Sequence, residues 1–151
     1  MRIIVCNSSA SAPDTINYLI TRQGDIQPQH PHDTYNIYVA LDNWGPVIRD
    51  GNSWIAAHRV LGEMRPVEPQ QKITVPYEFC TKQPWRDWVY YEYYPQRQLN
   101  ALHTLYTQLH TQYPTLHIYP IYAINPRRTD PQPQIELKRL LQMLRHENAT
   151  I

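Results

Sequence analysis

From Pro95 to Tyr113 the chain places Leu99, Leu102, Leu105, Tyr106, Leu109 and Tyr113 at intervals of three and four. Residues so spaced share one face of a helix. The spacing predicts a helix with a single apolar stripe, which must be buried against another layer. Pro95 suits the first helical position, where its missing N–H costs nothing. The segments upstream have the other periodicity. Ile3 to Cys6 reads as a short buried strand and Ile16 to Thr21 as a second. Arg22-Gln23-Gly24-Asp25 is a turn leading back into Ile26. Tyr35 to Leu41 alternates as a third strand and stops at the turn signal Asp42-Asn43-Trp44-Gly45-Pro46. Leu116 to Tyr122 predicts a fourth strand. Asp130-Pro131 predicts the start of a last helix running through Arg145, with Asp130 as N-cap and Ile135, Leu137, Leu140, Leu141 and Leu144 mostly on one side.

Strands followed by helices that cover them give an α/β fold: a small mixed β-sheet flanked by helices. The 151 residues suit one domain, 1–151. Residues 43–95 read as an irregular, aromatic-rich insertion, with 60–76 a long surface excursion. They hold Trp44, Trp54, Trp85 and Trp88, together with Tyr77, Tyr90, Tyr91, Tyr93 and Tyr94.

Charge and composition exclude several functions. A net charge of +1 offers no basic tract for a phosphate backbone, so nucleic acid is not an expected partner. Four glycines against fourteen prolines leave no glycine-rich phosphate cradle. Cys6 and Cys80 cannot form a disulfide framework and read as free, buried thiols. The apolar run at the N-terminus is too short for a signal peptide or a membrane span. A cytoplasmic protein without membrane insertion is the expectation, carried outward only by a partner, a phage or secretion particle, or lysis.

Four stretches, in order, carry a resemblance to type 2 N-acetylmuramoyl-L-alanine amidases and peptidoglycan-recognition proteins. Ile3-Ile4-Val5-Cys6-Asn7-Ser8 looks like the family's first strand, an apolar run ending in a zinc histidine. Ile16-Asn17-Tyr18-Leu19-Ile20-Thr21-Arg22-Gln23-Gly24-Asp25-Ile26 is similar to its second-strand hairpin. Asn36-Ile37-Tyr38-Val39-Ala40-Leu41-Asp42-Asn43-Trp44-Gly45 resembles its third. Ile121 to Pro133, with Pro126-Arg127-Arg128-Thr129-Asp130-Pro131, resembles its last catalytic segment. The aromatic stretch from Pro84 to Pro95 looks like phage members. The helix common between the first two strands is shortened to a loop.

The resemblance implies a zinc ion held by two histidines and an Asp or Cys, with a metal-bound water as nucleophile. A carboxylate takes the water's proton, and a lysine or histidine steadies the oxyanion. At the matching positions most of this is absent. Cys6 stands for the first histidine, and Ile121 or Tyr122 for the second. Asp130, the third ligand, is retained. Ala40 replaces the carboxylate and Arg128 the oxyanion lysine. Cys6 and Asp130 give two protein ligands where zinc needs three. The expectation is therefore no metal and no cofactor, zinc entering only if the site has been rebuilt. His30 and His32, alternating on an extended stretch, are the best stand-ins. A helix-capping role for Asp130 and a plain core role for Cys6 are the simpler alternatives.

Most of Trp44, Trp54, Trp85 and Trp88 are expected in the core; these four and Tyr93, with Arg128, His30 and His32, are also the candidates to line a groove or an interface. Aromatic residues interspersed with arginines serve either purpose. The function expected is a catalytically inactive amidase-like domain kept for binding, its ligand a protein partner or a peptidoglycan fragment. The alternative is an active zinc amidase of a phage lysis or tail module with a rearranged metal site.

Overall fold

The structure is a computed structural model. It describes residues 1–8, 16–50, 53–60, 63–66, 73–76, 80–82, 88–91, 94–131 and 134–149, with the backbone path alone for those between 44 and 91 and for 146–149. It is a mixed α/β fold built on a five-stranded sheet and two helices.

The sheet contains β1 (Arg2–Asn7), β2 (Tyr18–Ile20), β3 (Ile26–Pro28) and β4 (Asn36–Leu41). The fifth member is β11 (His117–Pro120), which enters the chain much later. The spatial order is β11-β1-β4-β2-β3. Four of the five run parallel; β3 alone turns back, antiparallel to β2. The central strands β1 and β4 are nearly unbroken apolar runs, with buried side chains on both faces of the sheet.

Both outer strands are protected against further pairing. On β11 the N–H of His117 faces β1, bonding the carbonyl of Met1, so its neighbours Ile118 and Pro120 turn their backbone outward. Pro120 has no N–H to offer, and the Ile118 carbonyl is taken by Arg145 Nε at 3.1 Å. On β3 the bond from the Gln29 N–H to the Asn17 carbonyl sets the alternation, which leaves Pro28 facing out.

Helix α1 (Gln96–Gln112) forms as the leucine spacing predicts, with Pro95 as its cap rather than its first residue. It ends at Tyr113, whose following proline disfavours the helical region. Helix α2 (Ile135–Ala149) starts later than predicted. Register puts Ile3, Ile37 and Ile118 side by side, then Val5 and Val39. Against this face pack Leu99, Leu102, Leu105, Tyr106 and Leu109 of α1 and Leu137, Leu141 and Leu144 of α2. Each such leucine, fully withdrawn from water, contributes about 2 kcal/mol. Ile135, expected in that stripe, is 63% exposed. No helix among the described residues is long and apolar enough to cross a membrane.

The expectation of an irregular insertion over 43–95 is corrected. This segment holds β5 (Trp44–Asp50), β6 (Ser53–Val60), β7 (Glu63–Pro66), β8 (Ile73–Pro76), β9 (Cys80–Lys82) and β10 (Trp88–Tyr91). They form a second, antiparallel sheet in the order β7-β6-β5-β10-β9, with β8 also paired to β6. Short strands ending in Pro66 and Pro76, with little apolar alternation, look like loop until their partners are known.

The turn between β2 and β3 depends on Gly24. Its φ is +93°, and a Cβ there would lie 2.8 Å from the Arg97 carbonyl oxygen on α1. The turn is closed by the Thr21 N–H donating to the Asp25 carbonyl and the Asp25 N–H donating to Thr21 Oγ1. Gly24→Ala is expected to cost about 2 kcal/mol, from the backbone penalty and the forced retreat of α1. Urea denaturation measures it; a loss near zero would mean the turn relaxes freely.

Candidate functional site

Four parallel strands end at one edge of the sheet, and in open α/β sheets ligands gather outside such ends. Here the apolar runs give way abruptly to buried polar residues: Asn7 and Ser8 at the end of β1, Thr21 and Arg22 after β2, Asp42 and Asn43 after β4. Ser8 Oγ lies 3.3 Å from Asp42 Oδ1 and 3.2 Å from Asn43 Oδ1, and it accepts the Asn43 N–H. Tyr94, just before α1, donates its hydroxyl to Asn7 Oδ1 at 2.6 Å. Gln134 holds the Tyr94 backbone from both sides, accepting its N–H and donating to its carbonyl at 3.0 Å. Gln98, fully buried on the first turn of α1, donates to the carbonyls of Ile20 and Asp42. One side chain thus ties the helix to the ends of β2 and β4.

Asp130 enters this cluster from the loop after β11. Its Oδ2 accepts the Asn7 N–H at 2.9 Å. Arg128 grips the same carboxylate in a two-pronged pair, Nε to Oδ1 and Nη2 to Oδ2, both at 2.7 Å. That pairing holds the guanidinium above its ordinary pKa, with Coulombic attraction to Asp130 and Cys6 adding to it against partial burial. The predicted N-cap role is corrected: α2 begins at Ile135, and Asp130 serves the end of β1 instead. Asp-Pro is a local start signal, and it yields to the buried N–H of Asn7, which needs an acceptor.

The positions picked out by the resemblance do converge. Cys6 and Ala40 are direct register partners on β1 and β4, and Leu19 of β2 is in register with Ala40. Cys6, Ala40 and Ile121 belong to one apolar cluster with Ile4, Ile16 and Leu19, on the face away from the helices. Ile121 opens a short 3-10 turn, Ile121–Ala123, where a continuing strand was expected. Tyr122 is 46% exposed, whereas Ile121 is buried.

These residues do not fit a zinc ion. Ala40 and Ile121 bring no donor atom. The Cys6 thiol is fully buried, its Sγ 3.7 Å from the Val39 carbonyl. Both oxygens of Asp130 are engaged, and the guanidinium beside them repels a second cation. Among the described residues no three His, Cys, Asp or Glu side chains are grouped as a metal requires.

The alternating histidines are not brought to this place. His30 is exposed, and its carbonyl, like that of Pro31, accepts from Asn17 Nδ2 at 3.1 Å. His32 packs edge-on against Tyr113, with ring centres 5.9 Å apart. Tyr113 ends α1 whereas Tyr94 precedes it, so about 25 Å of helix separates His32 from the Asn7 cluster. Trp44, Trp54 and Trp88 fall in β5, β6 and β10, where Trp44 is in register with Tyr90, and Trp54 with Arg49 and Val75. Trp85 and Tyr93 lie outside the described residues.

Sequence reasoning passed over Asn7, Ser8, Asp42, Asn43, Tyr94, Gln98 and Gln134. The available signal was the polar pair directly after each of two apolar strands.

Fold and site together define a mixed α/β protein with a closed polar cluster at the carboxyl ends of its parallel strands. No protein-family model matches the chain, and no curated protein or solved structure matches it.

Proposed function

We propose that this chain is an amidase-like fold kept for binding and not for hydrolysis. The reading is supported by one observation above the others. The positions that would supply zinc ligands and the catalytic acid lie together, yet they are filled by an apolar cluster and an arginine-neutralised carboxylate. An arginine clamped on Asp130 supplies the positive charge that a metal would otherwise bring to that carboxylate. Water activation needs an open coordination position and a proton acceptor, and Cys6, Ala40, Ile121 and Asp130 offer neither. The ligand in this reading is a protein partner or a peptidoglycan fragment, both suited to the aromatic residues and arginines of 43–95.

Zinc content decides between this reading and a rebuilt zinc amidase. Protein purified without chelator, offered zinc and then desalted, should retain less than about a tenth of an equivalent. It should also release no peptide from purified peptidoglycan. About one equivalent, lost in Asp130→Ala, would overturn the reading. Tryptophan fluorescence then separates the ligands: a saturable shift with muropeptide supports the wall fragment, and none at millimolar concentration supports a protein.

A further inference from the structure

The opposite end of the same sheet carries a second arrangement. Residues in register point to one side of a parallel sheet, so Arg2, Asn36 and His117 form a row on the face that the helices leave uncovered. Ile4, Tyr38 and Tyr119 form the next row. An open cavity of about 430 Å³ lies here, lined by Met1, Arg2, Tyr35, Asn36, His117 and Tyr119. That volume is in the range of small-ligand sites.

None of the six lining residues is acidic, and three carry rings. Tyr35 is 73% exposed, yet its backbone is fixed: Asp33 Oδ1 accepts the N–H groups of Tyr35 and Asn36, each at 2.7 Å. Arg2 Nε donates to Asn36 Oδ1 at 2.8 Å. This orients the guanidinium and leaves its two terminal nitrogens as donors. Among the described residues Arg2 joins no ion pair. Arg145 reaches round the free edge of β11 from α2, and its guanidinium stands 5.6 Å from the centre of the Tyr119 ring. The His117 ring lies 6.3 Å from the same ring.

We propose that this groove binds a small anion carried on a flat ring, an aromatic phosphate or carboxylate. Arg2 presents paired N–H donors of the geometry that recognises such oxygens. Arg145 adds positive potential, and Tyr35 and Tyr119 offer faces for the ring. The site is independent of the amidase-like reading: it lies at the start of β1, roughly 17 Å from Asn7 along the strand.

The test is an amide-resolved NMR titration of the whole chain with phenyl phosphate. Saturable shifts confined to Arg2, Tyr35, Asn36, His117 and Tyr119 are expected. Inorganic phosphate and phenol, each alone, should bind at least about tenfold more weakly. Tyr35→Ala removes only an exposed ring, so the fold is kept, and it should weaken binding about fivefold. Arg2→Gln should weaken it at least about tenfold. Benzoate binding as tightly as phenyl phosphate assigns a carboxylate ligand; weaker binding assigns a phosphate. Three outcomes overturn the proposal: no localised shift up to about 10 mM, inorganic phosphate binding as well as the aryl ester, or Tyr35→Ala leaving affinity unchanged.

Discussion

Asp130→Ala is expected to destabilise the protein by about 3 kcal/mol, read as a lower urea midpoint at unchanged slope. Asp130 is 6% exposed, and its carboxylate accepts three hydrogen bonds, one from the Asn7 N–H and two from Arg128. Its removal takes an acceptor from a fully buried backbone donor at the end of β1 and the carboxylate from a guanidinium that grips it through two nitrogens. The Arg128 side chain is 23% exposed, so water recovers part of its solvation. This places the cost at the lower end of what breaking a buried pair entails. Asp130→Asn keeps one acceptor for the Asn7 N–H and should lose about half as much. If the proposed reading holds, zinc should leave the unfolding midpoints of both variants and the parent unmoved, because a ligand that does not bind the folded state adds nothing to its stability. A loss under about 1 kcal/mol for Asp130→Ala would reduce the pair to a surface contact. Arg128 would then not occupy the metal's electrostatic place.

Ala40→Glu should do more damage still, at least about 4 kcal/mol. This substitution returns a carboxylate to the position where the resemblance expects one. In an open catalytic cleft the group would be solvated. Here Ala40 is fully buried between Cys6 and Leu19, with Ile4, Ile16 and Ile121 in the same cluster. The nearby cation, Arg128, is already held by Asp130. A new carboxylate therefore either ionises without a partner or stays protonated above its ordinary range, and both cost free energy. Ala40→Met separates volume from charge and should lose about 2 kcal/mol. Circular dichroism melts of the three proteins check the order. If Ala40→Glu melts within a few degrees of the parent, the cleft is open to water at this point. The closed-site reading would then be wrong.

The two largest differences between sequence expectation and structure have separate causes. Over 44–91 the strands are three to eight residues long, and each is defined by its partner rather than by its own pattern. Ser53–Val60 pairs with three other strands, yet its residues Trp-Ile-Ala-Ala-His-Arg show no clean alternation. A period-2 reading had nothing to hold. At Asp130 the local pattern was clear and still misleading. An Asp-Pro pair before a leucine-rich stretch predicts a cap, but the side chain is drawn to a backbone N–H that lies 123 residues away in sequence.

Apolar spacing and turn residues by themselves determined α1, the strands β1, β2 and β4, the β2–β3 turn and the Leu137, Leu141 and Leu144 stripe of α2. These depend on short-range periodicity, turn residues and the absence of interior breakers, which any segment carries with it. Only the tertiary structure decided that β11 closes on β1 and that Cys6 faces Ala40. It alone turned Asp130 to Arg128 and Asn7, and it joined Arg2, Asn36 and His117 into one row. Those relations arise from strand register and from the need of buried polar groups for partners, and both are properties of segments far apart in the chain.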